Sequence, residues 1–252
     1  MTLDPKNWEE FRQVAHAMLD SSLDKMENAR QGRVWTPVPK GLEASFKTDT
    51  PNESLSLQQI KEELDQIMKY GPGNTHPRFF GWVNGAGSPS NILAEIAAAA
   101  MNVNAGGRNH IAPIIEQQVI KWSASIMGMP DNTTGLITSG TSMATIIALK
   151  VARDKALELH DHSTLVGYTS DQTHNCIAKA FDLLGLPKTS LQKIPCDNNY
   201  EIHIKTLKET IEKDIADGRH PFAIIGNAGT VNTGSIDNLN KLADIAYNNG
   251  IW

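Results

Sequence analysis

Five short β-rich runs recur at a nearly constant interval through the second half of the chain. Successive runs start 28, 27, 31 and 29 residues apart, and amphipathic helical stretches fill the intervals. Strands that alternate with helices at this spacing are typical of βαβ units, which build mostly parallel sheets. The pattern therefore predicts an α/β fold, with a mostly parallel sheet and helices on both of its faces. The five runs begin near Leu136, Thr164, Leu191, Phe222 and Ile251.

The first seventy residues show helical periodicity and lack this alternation. Apolar residues recur three to four positions apart from Trp8 to Leu23 and again from Ile60 to Met68. Between these stretches, the prolines and glycines of Gly32 to Pro51 predict an extended arm. An amphipathic helix buries its apolar stripe against another element, and these helices have little core of their own. Residues 1–75 are therefore predicted to be a separate N-terminal helical segment that packs on another domain or subunit.

The last two residues have the character of a strand that is just beginning. Gly250 ends a helical stretch, and the apolar pair Ile251-Trp252 follows it directly. A parallel strand needs several residues to pair with its neighbour. From the sequence we therefore expect residues 76–252 to be an incomplete domain of a longer protein.

Composition disfavours several classes of function. The chain has 23 Lys and Arg against 28 Asp and Glu, a net charge of −5, which leaves no basic surplus for a nucleic-acid backbone. The longest apolar stretch, Ile96 to Met101, is far too short to span a bilayer, and the N-terminus lacks a signal-peptide pattern. Cys176 and Cys196 have no CxxC spacing, so we expect neither a disulfide framework nor a cysteine zinc site. These features predict a cytoplasmic protein without metal, nucleic-acid or membrane partners.

Small polar residues follow three of the predicted strands. They occupy residues 135–145 (GLITSGTSMAT), 168–176 (YTSDQTHNC) and 227–237 (NAGTVNTGSID). Parallel sheets bind ligands at the carboxyl ends of their strands, and a helix that begins there presents its free N–H groups and dipole to an anion. The first junction therefore predicts a phosphate-type anion site at Thr141 and Ser142.

Each junction also has a plainer interpretation. Ser139 or Thr141 can simply cap the helix that follows, and neither the P-loop pattern GxxxxGK[ST] nor GxGxxG is present. His174 can stack on a flat heteroaromatic ring or act on a proton, or it can be a polar capping residue. Asp237 is predicted to be the N-cap of the last helix.

Together these stretches resemble the N-terminal half of the group II amino-acid decarboxylases that use pyridoxal 5′-phosphate (PLP), a family that includes aromatic-L-amino-acid and glutamate decarboxylases. The resemblance runs from Trp8 to Trp252 and includes HPRFFGW at 76–82, residues 116–130 and the highly specific SDQxH at 170–174. It implies the type I (aminotransferase-like) PLP fold, with PLP as cofactor and a large PLP-binding domain that residues 76–252 begin. It also implies a homodimer across which the N-terminal segment packs.

Four residues match cofactor-binding positions of this family. Thr141 and Ser142 match positions that hold the cofactor phosphate, in agreement with the anion site. His174 matches the histidine that stacks on the pyridine ring and is implicated in decarboxylation, so the resemblance implies that it is catalytic. Thr230 matches a threonine close to the pyridine ring.

The resemblance also bears on the substrate and on what this sequence lacks. Trp82, with Phe80 beside it, matches a bulky aromatic position in the substrate pocket. Ala105 and Gly107 stand where aromatic-specific animal members carry larger apolar residues, which widens the implied pocket. The family's aspartate that pairs with the pyridine nitrogen and its Schiff-base lysine match positions beyond Trp252.

The activity implied is that of a PLP-dependent carboxy-lyase acting on an L-amino acid, and Trp82 and the SDQxH block favour an aromatic substrate. A glutamate- or diaminobutyrate-type decarboxylase is the main alternative. A non-catalytic remnant that only binds or dimerises is the alternative from another class. Because the chemistry requires the lysine and the aspartate, we expect residues 1–252 alone to be inactive.

Overall fold

The computed structural model of the chain describes residues 4–104, 106 and 109–252. These residues form two compact units that divide between positions 104 and 105. The functional boundary expected between residues 75 and 76 stays a prediction. Ala105 and Gly107, on which the expected pocket width depends, lie outside the described residues.

The first unit is helical, as the periodicity predicts. The side chain of Asn7 accepts the N–H groups of Glu9 and Glu10 and so caps the first helix. Ser56 and Gln59 form a capping box at the third. One prediction was wrong in part, because a short helix interrupts the extended arm directly after Pro39, where the sequence has no further proline until Pro51. The helices are α1 (Trp8–Glu27), α2 (Lys40–Ser45), α3 (Leu57–Ile67) and α4 (Pro89–Met101).

The second unit contains a three-stranded parallel sheet, and its elements confirm the predicted α/β class. The strand order is β2-β1-β3, with Gly167 opposite Leu191 on one side and opposite Ala223 on the other. The strands are β1 (Leu165–Ser170), β2 (Leu191–Ile194) and β3 (His220–Ile225). The helices are α5 (Ile111–Ile126), α6 (Thr141–Leu157), α7 (Cys176–Leu183), α8 (Ile204–Ala216) and α9 (Leu239–Asn249).

Helices cover both faces of this sheet because the side chains of β1 alternate between them. Leu165 belongs to an apolar cluster formed with α6 and α7, whereas Val166 and Tyr168 belong to another formed with α8 and α9. Gly167 allows α7 to approach closely, since a Cβ at this position would lie 2.7 Å from the ring of Phe181. The sheet thus has the two buried faces that are typical of parallel α/β proteins.

The two outermost predicted strands have different outcomes. Trp252 donates its N–H to Phe222 O (3.0 Å) and accepts the N–H of Ile224 (2.9 Å), so the chain pairs with β3 where a strand was expected to begin. The strand predicted at Leu136 is absent from the described part of the chain: residues 134–138 are irregular, and Leu136 and Ile137 are exposed. Apolar composition does not make a strand unless a neighbouring strand accepts its backbone hydrogen bonds.

A buried polar group fastens α8 to the centre of the sheet. The hydroxyl of Tyr168 donates to Asp214 Oδ2 (2.9 Å), and Arg219 Nη1 donates to Asp214 Oδ1 (3.1 Å). Burial, followed by the hydrogen bond to Asp214, raises the pKa of Tyr168 well above its usual value. The phenol is therefore a neutral, structural donor.

Among the described helices, none is both long enough and apolar enough to cross a bilayer.

Candidate functional site

The helix α6 begins with two free backbone donors. The carbonyl of Gly140 accepts the N–H groups of Met143 (3.1 Å) and Ala144 (3.2 Å), but within the described residues no acceptor lies at the N–H groups of Thr141 or Ser142. Both residues are exposed, and a Cβ built on Gly140 would meet nothing within 4 Å. The approach to these donors is therefore open, as an anion site requires.

The helix α5 holds the segment that leads into α6. Glu116 Oε1 accepts the N–H of Ile137 (2.7 Å), and Gly135 lies against the side chain of Ile120. The hydroxyl of Thr138 then donates to Gly140 O (3.0 Å), which closes the turn before Thr141. Glu116 has a positioning contact that the sequence pattern alone did not single out.

His174 lies just after β1 and directly before Asn175, which is the N-cap of α7. Its Nδ1 accepts the N–H of Cys176 (3.2 Å), the first residue of that helix, so the side chain satisfies one of the helix's free N–H groups without being the N-cap. An acceptor role at Nδ1 assigns the proton of the neutral ring to Nε2. The residue is exposed, so this hydrogen bond leaves the ring itself accessible. Stacking on a cofactor stays a prediction and is compatible with this geometry.

The loop after β3 is a compact turn around Thr230. Ser235 O accepts the N–H groups of both Gly229 (3.1 Å) and Thr230 (3.0 Å), and the hydroxyls of Thr230 and Thr233 lie 2.5 Å apart. Gly229 has a φ of 98°, a left-handed conformation that favours glycine. Thr230 is buried, so its side chain is fixed by the loop itself.

The prediction that Asp237 caps the last helix was wrong. Asn238 is the N-cap of α9, and its side chain accepts the N–H of Lys241 (3.1 Å). Asp237 is 2% exposed, and its carboxylate accepts the backbone N–H groups of Ile202 and Asn227, both at 2.7 Å. The N-cap pattern misled because two adjacent residues, Asp237 and Asn238, both have side chains suited to capping.

Asn227 connects two of the three predicted junctions. Its Nδ2 donates to Thr173 Oγ1 (2.8 Å) and lies 3.2 Å from Ser170 Oγ. Thr173 immediately precedes His174, and Asn227 opens the loop that contains Thr230. The structure therefore brings together the junctions after β1 and β3, as expected for neighbouring parallel strands.

Cys196 lies near the same sheet edge, in surroundings that favour the protonated thiol. It is half-buried, and burial together with a hydrogen bond to Asp171 raises the pKa of the Cys196 thiol, which disfavours the nucleophilic thiolate. In the described portion of the chain, His, Cys, Asp and Glu side chains do not gather in groups of three that could hold a metal ion.

Trp82 and Phe80 belong to the first unit and are both strongly exposed. Phe80 is 93% exposed and Trp82 79% exposed. Trp82 also has a φ of 51°, a left-handed conformation that is uncommon for a bulky side chain and often marks a functional segment. Their role in a substrate pocket stays a prediction.

Comparison with known proteins identifies relatives along the whole chain. Residues 39–252 match the Pyridoxal-dependent decarboxylase conserved domain. An aromatic-L-amino-acid decarboxylase of Bacillus atrophaeus is 32% identical over 97% of this chain and 52% of its own length. A phenylacetaldehyde synthase of Arabidopsis thaliana is 28% identical over 99% of this chain and 53% of its own.

Solved structures give the same result for the fold. The tryptophan decarboxylase of Catharanthus roseus, determined in complex with L-tryptophan, superposes with a TM-score of 0.88 at 28% identity. That match covers 99% of this chain and 55% of the other. The similarity confirms the predicted type I fold, and the chain spans about half the length of the curated relatives it matches.

Proposed function

Because this chain belongs to the pyridoxal-dependent decarboxylase family, we propose that it forms part of the PLP site of a carboxy-lyase acting on an aromatic L-amino acid. The observation that carries the proposal is the open N-terminus of α6, where the exposed residues Thr141 and Ser142 present N–H groups that have no acceptor in the part of the chain that the structure describes. A phosphate group matches these donors and the positive end of the helix dipole. When bound, PLP supplies the electron sink for the carbanion left by departing carbon dioxide.

The described residues have distinct roles in this proposal. Thr141 and Ser142 would hold the cofactor phosphate. His174 would stack on the pyridine ring, with its Nδ1 already accepting the N–H of Cys176. Thr230 would lie close to the same ring, and Trp82 and Phe80 would contribute aromatic surface to the substrate pocket.

The aromatic substrate class is supported by the relatives' names and by Trp82. The Bacillus protein is named for aromatic amino acids, and the Catharanthus protein was solved with tryptophan. A homodimer, a cytoplasmic location and the inactivity of residues 1–252 alone stay predictions.

Introducing a negative charge at Ser142 in the full-length protein tests the phosphate site. Ser142→Asp places a carboxylate where the phosphate binds, so the affinity for PLP is expected to fall about a hundredfold, which corresponds to losing one or two charge-assisted hydrogen bonds. The affinity for pyridoxal, which lacks the phosphate, should stay within about twofold. Both are measured by absorbance titration.

Lys205→Glu is the matched control, because it adds negative charge to the first turn of α8 at an exposed position. It should leave both affinities unchanged. Equal weakening of PLP and pyridoxal by Ser142→Asp would contradict the phosphate assignment.

A substrate panel tests the reaction class in the same full-length protein. L-tryptophan, L-tyrosine and L-phenylalanine are compared with L-glutamate and L-2,4-diaminobutyrate, with carbon dioxide, amine and aldehyde all measured. Aldehyde is included because one relative is named a phenylacetaldehyde synthase. Faster turnover of glutamate or diaminobutyrate would replace the aromatic assignment with the alternative.

A further inference from the structure

The buried carboxylate of Asp237 joins segments that follow two different strands. Oδ1 accepts the N–H of Ile202, in the segment after β2, and Oδ2 accepts the N–H of Asn227, directly after β3. Asn227 Nδ2 donates to the same Oδ2 at 3.0 Å. Three N–H donors thus surround a side chain that is 2% exposed, and no Lys or Arg lies in salt-bridge range of it among the described residues.

The side-chain amide of Asn227 extends this connection to β1 and the turn that follows it. Its NH₂ group lies within hydrogen-bond distance of Asp237 Oδ2, Thr173 Oγ1 and Ser170 Oγ. Thr173 Oγ1 is also 2.6 Å from Thr169 Oγ1, within β1. Asn227 and Asp237 therefore link the segments after all three strands of the sheet.

We propose that Asn227 and Asp237 are positioning residues, which hold the loop that carries Thr230 against the turn that carries His174 before the cofactor binds. The proposal rests on the proposed function, because it treats Thr230 and His174 as cofactor contacts. Neither Asn227 nor Asp237 has to touch the cofactor to do this. Their hydrogen bonds set the distance between two loops that follow the neighbouring strands β1 and β3.

The hydrogen bond between Asn227 and Asp237 requires an amide at position 227. The NH₂ group donates to a carboxylate and a hydroxyl at once, whereas a carboxylate of the same size would face Asp237 with like charge. Asn227→Asp should therefore be more harmful than Asn227→Ala, although it preserves the shape of the side chain. Loss of packing alone predicts the opposite order.

The test uses the full-length protein and begins with its cofactor-free form. In Asn227→Ala, amide hydrogen exchange is expected to accelerate at residues 171–176 and 228–236 together, with little change elsewhere in the sheet. After addition of PLP, the affinity should be about tenfold weaker, the factor expected from one lost hydrogen bond, and Asn227→Asp should be weaker still. At saturating PLP, kcat should fall while the KM for the amino acid stays within about twofold.

Asn238→Ala is the matched control, since it removes the cap of α9 one residue from Asp237 without breaking any bond to Asn227. It should lower stability but leave the exchange of residues 171–176 and the affinity for PLP unchanged. Equal effects of Asn238→Ala and Asn227→Ala, or a milder effect of Asn227→Asp than of Asn227→Ala, would overturn the positioning role.

The two proposals fail in distinguishable ways. If the unmodified protein does not bind PLP or decarboxylate, the proposed function is wrong, yet the exchange measurement on cofactor-free protein still decides whether Asn227 couples the two segments. If PLP binds normally in Asn227→Ala and only one of the two segments exchanges faster, the proposed function stands and the positioning role is wrong.

Discussion

Two helices of the second unit, α5 and α8, show opposite relations between apolar sequence and burial. In α5 only Glu116 and Lys121 are charged, yet Ala124 is the one residue of this helix that is buried within the described structure. Charged residues occur in every turn of α8, and Leu207, Ile211 and Asp214 are nevertheless buried. An apolar helix is thus no better covered than a charged one unless another element lies against it.

The partners of the two helices explain the difference. The apolar stripe of α8 faces Val166 and Tyr168 of β1 and also meets α9, so its buried residues are part of a shared core. By contrast, α5 contacts the irregular segment before α6 through Glu116 and Ile120. Four of its large side chains are more than half exposed, namely Ile114, Ile115, Trp122 and Ile126.

The largest expected effect is a difference in unfolding free energy between a truncation in α8 and one in α5. Leu207→Ala removes a side chain that is 0% exposed and should lower the free energy of unfolding of this chain by about 2–5 kcal/mol. Trp122→Ala, on α5, removes a larger but mostly exposed side chain and should cost less than about 1 kcal/mol. Urea unfolding of both variants measures this, and a Trp122 cost equal to that of Leu207 would show that α5 is covered in solution.

An intermediate effect is expected from the hydrogen bond between Tyr168 and Asp214, which joins α8 to the sheet. Tyr168→Phe leaves Asp214 Oδ2 without its donor and should cost about 1–2 kcal/mol. Because burial raises the pKa of folded Tyr168, the unfolded chain ionises first, so this stabilisation is complete below pH about 10 and is lost as the pH rises above it. The alkaline loss should be smaller in Tyr168→Phe, as measured by urea unfolding between pH 8 and pH 11.

Tyr247→Phe is the control for this pH dependence, because Tyr247 is 88% exposed. Its alkaline profile should match that of the unmodified chain. Identical profiles for Tyr168→Phe and the unmodified chain would mean that Tyr168 is not the group responsible.

The smallest expected effect concerns the contact that α5 does make. Glu116→Ala removes the acceptor of the Ile137 N–H and should cost about 1 kcal/mol or less, because the bond is exposed. Hydrogen exchange of the Ile137 amide should accelerate at the same time. Lys121→Ala, on the same helix and without that contact, should leave the exchange of the Ile137 amide unchanged. If the Ile137 amide stays protected in Glu116→Ala, the hydrogen bond to Glu116 does not hold this segment.

Several parts of the molecule could be predicted because they depend on neighbours in sequence. The helix periodicity from Trp8 to Leu23 gave α1, and the spacing of the β-rich runs gave β1, β2 and β3. Small polar residues after a predicted strand indicated the start of α6, where the N–H groups of Thr141 and Ser142 have no acceptor among the described residues, although that strand itself is absent from the described part of the chain. The family resemblance, carried by SDQxH and the stretches around it, was confirmed by the match over residues 39–252.

Other parts were decided only by contacts between distant residues. Leu136 looked like the start of a strand but has no strand partner among the described residues, and Asp237 looked like a helix cap but accepts hydrogen bonds from Ile202 and Asn227. Periodicity is encoded within a few residues of chain, so the sequence by itself determined most of the elements and the α/β class, whereas anion binding at Thr141 and Ser142 stays a prediction. Pairing, burial and the network of Asn227 and Asp237 depend on which segments the fold brings within hydrogen-bond distance, and only the tertiary structure decided those.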